Sequence, residues 1–335
     1  MLKTNGRINK FDNLKGFAII LIVLGHLPGL LSPAFDHRFI YIIHLPIFFF
    51  VAGYFSKIGP DEPIKSFKRL MIPFFLFSII WKICLIIMAK DVNIILFFEP
   101  DCGLWFLVSL FTMKMLLPII DRLRYPLFIS LMGALLISAL GIPGTILGIT
   151  RTFIYLPIFI IGFYYNDYVA KLTEYNEKIV LFLNKTHNKY LILILIILSC
   201  IIAAYSIPAK VIFLQHPYGK HMLSEMILKL ILIFLGISFA LTLNGLMTNK
   251  KCFLTKIRRN SMAIYIIHDF LVKYIIKPYI RNNFAHDTTF CIVVLGVAFI
   301  IVFVLSRDFV TDALNKLTDG IFRIFFDETN AVNSN

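Results

Sequence analysis

Apolar segments of about 16 to 24 residues recur from one end of this 335-residue chain to the other, and that length spans the hydrocarbon core of a bilayer. A backbone in lipid must satisfy its own hydrogen-bonding groups, so segments of this kind predict helices. Hydrophobic residues make up 59% of the chain and charged residues 16%, whereas a soluble domain is about half apolar and a quarter charged. This imbalance excludes a disordered chain, a fibre and a soluble enzyme with one conventional core. The sequence predicts an all-α, polytopic membrane protein.

Ten segments are candidate transmembrane helices, and in chain order they are 14–31, 39–57, 70–89, 104–120, 127–142, 150–166, 190–206, 223–246, 261–277 and 289–306. If the N-terminus is cytoplasmic, most of the 33 Lys and Arg residues fall in cytoplasmic segments. Far fewer fall in the outer loops, where Arg38, Arg151 and Lys210 lie. The positive-inside rule requires this bias. We therefore expect about ten transmembrane helices, with both the N-terminus and the C-terminus cytoplasmic.

We expect two regions, a single transmembrane domain over residues 1–306 and a cytoplasmic tail over residues 307–335. In the tail, apolar residues recur at helical spacing from Val310 to Ile324, and charged residues fill the other face. This pattern is typical of an amphipathic helix that lies on a membrane surface. A frayed extension of the last span is an equally good interpretation.

The net charge of +14 raises nucleic acid as a possible partner. The charges, however, lie in short breaks between apolar runs and not along one face of a folded module. We therefore expect contact with membrane lipid and none with nucleic acid. The five cysteines are scattered without a CxxC pair, which argues against a disulfide framework and against a metal site.

The first span carries ionisable residues, which are costly in a membrane and therefore functional candidates. Lys15 precedes His26 by eleven residues, so both lie on one helix face, about 16 Å apart. Asp12 can pair with Lys15 but is about 21 Å from His26, too far to orient its ring. This spacing suits a long donor with an anionic head at Lys15 and a reactive end at His26, where an imidazole can transfer protons. The alternative is that Lys15 snorkels and His26 bonds a neighbouring helix.

The second and third spans add further candidates. His44 should lie at a depth comparable to His26, beside Pro46, although a histidine next to a proline is most often structural. Gly53 predicts the close approach of another helix or of a ligand. The basic residues Lys65, Lys68 and Arg69 begin the third span and could bind a diphosphate or nucleotide, or serve only as a positive-inside anchor.

Five segments in this order resemble the integral-membrane acyltransferase 3 family: the first span with its Asp12, Lys15 and His26, IYIIHLPIFFFVAGYF, the basic run ending in RLMIP, LWFLVSLF and NSMAIYIIHDFL. The resemblance covers roughly residues 10–325. The family signature is an arginine, ten residues and the catalytic histidine. His26 matches that histidine, and Lys15 replaces the arginine, keeping the charge without the bidentate fork. Arg69 matches one of two arginines at the third span, and Ser66 replaces the other.

The resemblance implies an O-acyltransferase of a bacterial inner membrane, which moves an acetyl group from cytoplasmic acetyl-CoA to a hydroxyl of an extracytoplasmic carbohydrate. The acceptor would be an envelope polysaccharide or its lipid-linked precursor. His26 would be catalytic, and Lys15, Lys65, Lys68 and Arg69 would bind acetyl-CoA, with no metal involved. A sugar hydroxyl is a weak nucleophile, so its reaction needs a base.

Two further residues lie in the matching segments. Trp105 could stack on a sugar, or belong to an interfacial aromatic belt. His268 lies beside Asp269 in the ninth span, where both are expensive, and we assign His268 a supporting role together with Asp12, His44 and Trp105. The alternative functions are a transporter or flippase of a glycolipid or small solute, with the histidines as a proton relay, and a sensor or scaffold. Paired broken helices would favour a transporter, and none is evident in the sequence.

Overall fold

The computed structural model describes residues 9–27, 33–88, 99–100, 103–140, 146–214, 219, 221–283 and 288–326. Within these ranges the regular structure is helical and no strand occurs, which confirms the all-α prediction. Parts of the expected spans and regions lie outside the described residues, namely 1–8, 28–31, 89, 141–142 and 327–335.

The α-helices of the described ranges are, in chain order, α1 (Asn9–His26), α2 (Pro33–Tyr54), α3 (Glu62–Ser66), α4 (Ile72–Ile87), α5 (Trp105–Ile120), α6 (Pro126–Leu136), α7 (Ile149–Phe163), α8 (Tyr165–Tyr175), α9 (Glu177–Asn184), α10 (Thr186–Ser206), α11 (Ala209–Ile212), α12 (Met222–Leu246), α13 (Phe253–Arg259), α14 (Ser261–Phe270), α15 (Lys277–Asn283), α16 (Thr288–Leu305) and α17 (Asp308–Phe325). A 3₁₀ segment follows α6 at Ile137–Leu140. Each of the ten apolar segments overlaps at least one of these helices.

Three helical stretches of the described residues are long and apolar enough to cross a membrane: Glu62–Ile87, Thr186–Ser206 and Met222–Leu246. Two bent pairs raise the number to as many as five if each pair is one span. In the first pair α8 turns 64° from α7, and in the second α17 turns 55° from Ile292–Leu305. The chain is therefore a helical membrane protein, and the count of ten spans and their orientation stay predictions.

Two π-helical segments interrupt the α-helices of the described ranges, and each precedes a proline. The π-helical segments are Phe67–Met71 and Leu271–Ile276, and Pro73 and Pro278 come two positions after their ends. A proline has no N–H to donate four residues back. The wider turn instead places an N–H five residues from its acceptor, as in the bond from Ile72 N to Phe67 O. Such π turns are frequent at functional sites, and here one carries Arg69 while the other begins two residues after Asp269.

Helix α2 is central to the bundle, since it packs against α1, α7, α10 and α12. Its tightest crossing is with α7, where two glycines face the opposite backbone. A Cβ atom added to Gly53 would lie 1.9 Å from the carbonyl oxygen of Phe159, and one added to Gly162 would lie 2.1 Å from that of Phe50. This confirms the predicted close approach at Gly53, and small residues are what allow such contact between membrane helices.

Gly162→Ala should force α2 and α7 apart, because the new methyl group would overlap the Phe50 carbonyl. Overpacking of this kind costs about 1–3 kcal/mol, and we expect the thermal unfolding midpoint in detergent to fall. Gly296→Ala is the matched control, since nothing lies within 4 Å of its added Cβ and alanine favours a helix. Equal midpoints for the two variants would contradict the close-packed crossing.

Candidate functional site

Helix α1 connects two parts of the candidate site. Lys15 lies in the first half of α1 and lines a cavity, while His26 is the last residue of the helix. Eleven residues separate them, which corresponds to about 16 Å along the axis. The two parts are therefore held at a fixed spacing by one rigid element.

The cavity at the Lys15 end, here called the basic cavity, has a volume of about 420 Å³. Its wall includes the apolar side chains Phe48, Val51, Leu107 and Leu110. Seven cationic residues also line it: Lys15, Lys57, Lys65, Arg69, Lys114, Arg258 and Arg259. Glu62 is the one acidic residue among the described lining residues. A cavity with this charge and partly apolar wall suits an anionic ligand that has an uncharged arm.

Three of the four residues predicted to bind the donor, Lys15, Lys65 and Arg69, line the basic cavity. The fourth, Lys68, does not. Its Nζ lies 2.9 Å from Asp319 Oδ1 and 4.8 Å from the centre of the Phe322 ring, both on α17. Lys68 therefore attaches the tail helix to the π segment that carries Arg69.

The cavity end of α1 is fixed by polar contacts with the chain around α13. Asp12 Oδ1 lies 3.0 Å from Arg258 Nε, an ion pair that the sequence did not suggest. Asn13 donates from Nδ2 to the carbonyl oxygens of Thr248 at 2.8 Å and Lys250 at 3.0 Å. These contacts hold Arg258, which lines the cavity, next to the helix that carries Lys15.

At the other end of α1, His26 pairs with Asp269 of α14. His26 Nδ1 lies 2.9 Å from Asp269 Oδ1, so the ring donates from Nδ1 and its Nε2 can accept a proton. The His26 side chain keeps 35% of its surface exposed, whereas that of Asp269 keeps 11%. An imidazole oriented by a carboxylate and accessible to a ligand is the arrangement of a general base.

His268 lies beside this pair, with its ring centroid 5.2 Å from that of His26 in an edge-to-face contact. Its Nδ1 donates to the carbonyl oxygens of Ile264 and Tyr265, both at 2.8 Å. The residue is 1% exposed, and its Nε2 has no hydrogen-bond partner among the described residues. A donating Nδ1 leaves Nε2 as an acceptor, so His268 presents a lone pair next to His26.

Tyr265 connects the basic cavity with the His26–Asp269 pair. It lines the cavity, and its hydroxyl donates to the carbonyl of Gly103 at 2.6 Å. A Cβ added to Gly103 would lie 3.1 Å from that hydroxyl and 3.3 Å from Asp269 Oδ2. Gly103 also has a backbone φ of +71°, a value that residues other than glycine rarely adopt. Because Gly103 has no side chain, its backbone can lie close to the Asp269 carboxylate without crowding it.

The remaining supporting candidates, His44 and Trp105, are buried. His44 Nδ1 donates to Ile40 O at 2.5 Å, and its ring makes an edge contact with Tyr41 at 5.5 Å. Trp105 begins α5, and the guanidinium of Arg151 lies 4.5 Å above its ring. That ring face is covered by the arginine, which is a contact the sequence did not suggest.

The sequence singled out His26, Lys15 and Arg69, and the structure adds Asp269 as a partner of His26. The available signal was the adjacent pair His268–Asp269 in an apolar span, where an acid is expensive without a cation. We singled out the histidine, because helical spacing cannot show which neighbouring helix supplies a partner. That partner is His26, which lies far earlier in the chain on α1.

Comparison with known proteins identifies the family. The model of the family described as acyltransferase domain, Acyl_transf_3, matches residues 8–307. No curated protein and no solved structure matches the chain. The family model covers most of the chain, which therefore belongs to this acyltransferase family, as the five sequence segments indicate.

Arg258→Met should destabilise the protein, because it leaves the Asp12 carboxylate, whose side chain is 2% exposed, buried without this partner. Breaking a buried pair costs about 3–5 kcal/mol, and the partial exposure of Arg258 favours the lower end of that range. Arg259→Met is the control, since its pair with Asp308 is exposed and 3.7 Å long and such pairs contribute about 0–1 kcal/mol. Thermal unfolding in detergent measures both, and a control as damaging as Arg258→Met would contradict this difference.

Proposed function

We propose that this membrane acyltransferase moves an acetyl group from cytoplasmic acetyl-CoA to a hydroxyl of an extracytoplasmic carbohydrate. The observation that carries the proposal is the contact between His26 Nδ1 and Asp269 Oδ1 at 2.9 Å. Along α1, His26 is about 16 Å from Lys15, which lines the cation-rich cavity. The acceptor would be an envelope polysaccharide or its lipid-linked precursor, in a bacterial inner membrane.

The basic cavity supports a nucleotide thioester as donor. Acetyl-CoA carries phosphates at one end and its thioester at the far end of a long, uncharged arm. Lys15 and Arg69 would hold the phosphates, with Lys65 and Arg258 adding charge near the same cavity. The arm would follow α1 past Phe106 and Tyr265, which line the cavity, to the thioester position at His26.

The His26–Asp269 pair supplies the chemistry of acyl transfer. With Nδ1–H donated to Asp269, His26 Nε2 takes the proton of the acceptor hydroxyl as its oxygen attacks the thioester carbonyl carbon. A new C–O bond forms, the C–S bond breaks, and the coenzyme A thiolate takes the proton back from Nε2. Asp269 stays ionised throughout and stabilises the imidazolium that forms between the two proton transfers.

His268 and Tyr265 would assist the reaction by orienting the groups around His26 and Asp269. The free Nε2 of His268 can accept a hydrogen bond from an acceptor hydroxyl next to His26 and so orient the sugar. The Tyr265 hydroxyl, bonded to Gly103 O, would hold the Gly103 backbone beside the Asp269 carboxylate. A transporter or flippase would need neither a paired general base nor a cavity of this charge, and the family match favours the enzyme.

His26→Ala and Asp269→Asn should each lower transfer by about 10³-fold or more, because one removes the base and the other its orienting carboxylate. Sealed membranes supplied with radiolabelled acetyl-CoA on the cytoplasmic side would report label in the glycan fraction. His221→Ala, which changes an exposed histidine outside the site, is the matched control and should keep full transfer. Retained transfer in a normally expressed His26→Ala variant would overturn the assignment.

Lys15→Gln and Arg69→Gln should raise KM for acetyl-CoA about 10- to 100-fold each, because a hydrogen bond to a charged group contributes about 1.5–3 kcal/mol. Lys68→Gln should leave KM almost unchanged, since Lys68 is engaged with Asp319. Steady-state kinetics of the purified protein would measure all three. Equal effects at Lys15 and Lys68 would contradict the placement of the donor in the basic cavity.

A further inference from the structure

Arg151 is a buried cation outside the catalytic pair and the basic cavity. It lies in the first turn of α7 and is only 6% exposed. An arginine remains charged even where it is buried, and a charge removed from water is costly unless it is paired. The groups around Arg151 therefore indicate whether its charge is compensated within the protein.

The described contacts of Arg151 supply little negative charge. Its Nε donates to the carbonyl oxygen of Phe213 at 3.2 Å, and its guanidinium lies 4.5 Å from the centre of the Trp105 ring. No carboxylate of the described residues lies within ion-pair distance of it. In addition, the first turn of a helix is the positive end of its dipole, which disfavours a cation. The guanidinium, which has five N–H donors, is thus placed to receive an oxyanion.

Arg151 is also near the reacting groups. Trp105, beneath the guanidinium, is two residues from Gly103, a separation of roughly 7 Å or less along the chain. Gly103 in turn contacts Tyr265 and Asp269, since its added Cβ would lie 3.3 Å from Asp269 Oδ2. One sugar unit or two would therefore reach from Arg151 to the His26–Asp269 pair.

We propose that Arg151 binds an oxyanion of the acceptor, so that the substrate is an acidic glycan. The anion would be a sugar carboxylate or the phosphate that links a glycan to its lipid carrier. Arg151 forms the two parallel hydrogen bonds that both groups accept, and this fixes which hydroxyl reaches His26. This inference rests on the proposed acetyl transfer and adds the chemical class of its acceptor.

Arg38 provides a matched comparison, because it is an arginine that also donates to a backbone carbonyl, that of Ala204, at 3.2 Å. It is less buried than Arg151, so water can solvate its charge. A purely structural arginine should behave like Arg38 and change stability without changing which acceptor is used.

The test uses native membranes in which the wild-type protein is replaced by Arg151→Gln, Arg151→Lys or Arg38→Gln. Radiolabelled acetyl-CoA is supplied, and labelled glycans are separated by anion exchange before and after mild acid cleavage of the bond between the glycan and its phosphate. Binding of acetyl-CoA to each purified variant is measured by calorimetry. The cleavage distinguishes the two anions, because only a sugar carboxylate remains acidic after it.

We expect wild-type label in the acidic fraction, at least a tenfold loss with Arg151→Gln, partial transfer with Arg151→Lys, and no change with Arg38→Gln. All variants should bind acetyl-CoA equally. Wild-type label in neutral glycans, or full transfer by Arg151→Gln, would overturn the acidic acceptor alone. Loss of acetyl-CoA binding in both Arg151 variants would assign the residue to folding and also overturn it. Absence of label with the wild type would overturn the proposed acetyl transfer itself.

Discussion

The contact between His26 and Asp269 is the interaction on which the site depends. It joins the last residue of α1 to α14, and it gives a carboxylate in an apolar segment the partner that such a group requires. The same contact orients the His26 ring, and in the neutral ring that donates from Nδ1 the Nε2 atom is an acceptor. A contact that compensates the cost of an intramembrane charge thus also prepares the base that acyl transfer needs.

Helix α1 links this contact to the basic cavity, because it carries His26 at one end and Lys15 near the other. Its other end is held by Asp12 and Asn13 against the chain around α13, so Lys15 enters the basic cavity at a set distance from His26. Because the spacing is a property of the helix, the basic cavity and His26 stay about 16 Å apart, the distance that the proposed acetyl-CoA donor would bridge.

Local periodicity predicts much of this arrangement. The all-α class follows from the apolar segments, and the common face of Lys15 and His26 follows from 3.6 residues per turn. Each of these features depends on one segment alone, which is why the sequence is enough to predict it.

The remaining features depend on which segments meet. Asp269 could not be assigned to His26, because the pairing joins distant parts of the chain. Lys68 was grouped with Arg69, yet the tail helix supplies Asp319 as its partner. For Trp105 the sequence left open a contact with a sugar or a place in an interfacial aromatic belt, and the structure places the Arg151 guanidinium of α7 over its ring. Each case is a tertiary contact that helical spacing does not encode.

The most direct test of the central claim is a double-mutant cycle on the rate of acetyl transfer, with His26→Gln, Asp269→Asn and the double variant measured in single turnovers. If Asp269 acts through His26, the double variant should be no slower than His26→Gln alone, because residues that work as a unit are strongly non-additive. Losses that multiply would show that the two residues act independently and would contradict the account.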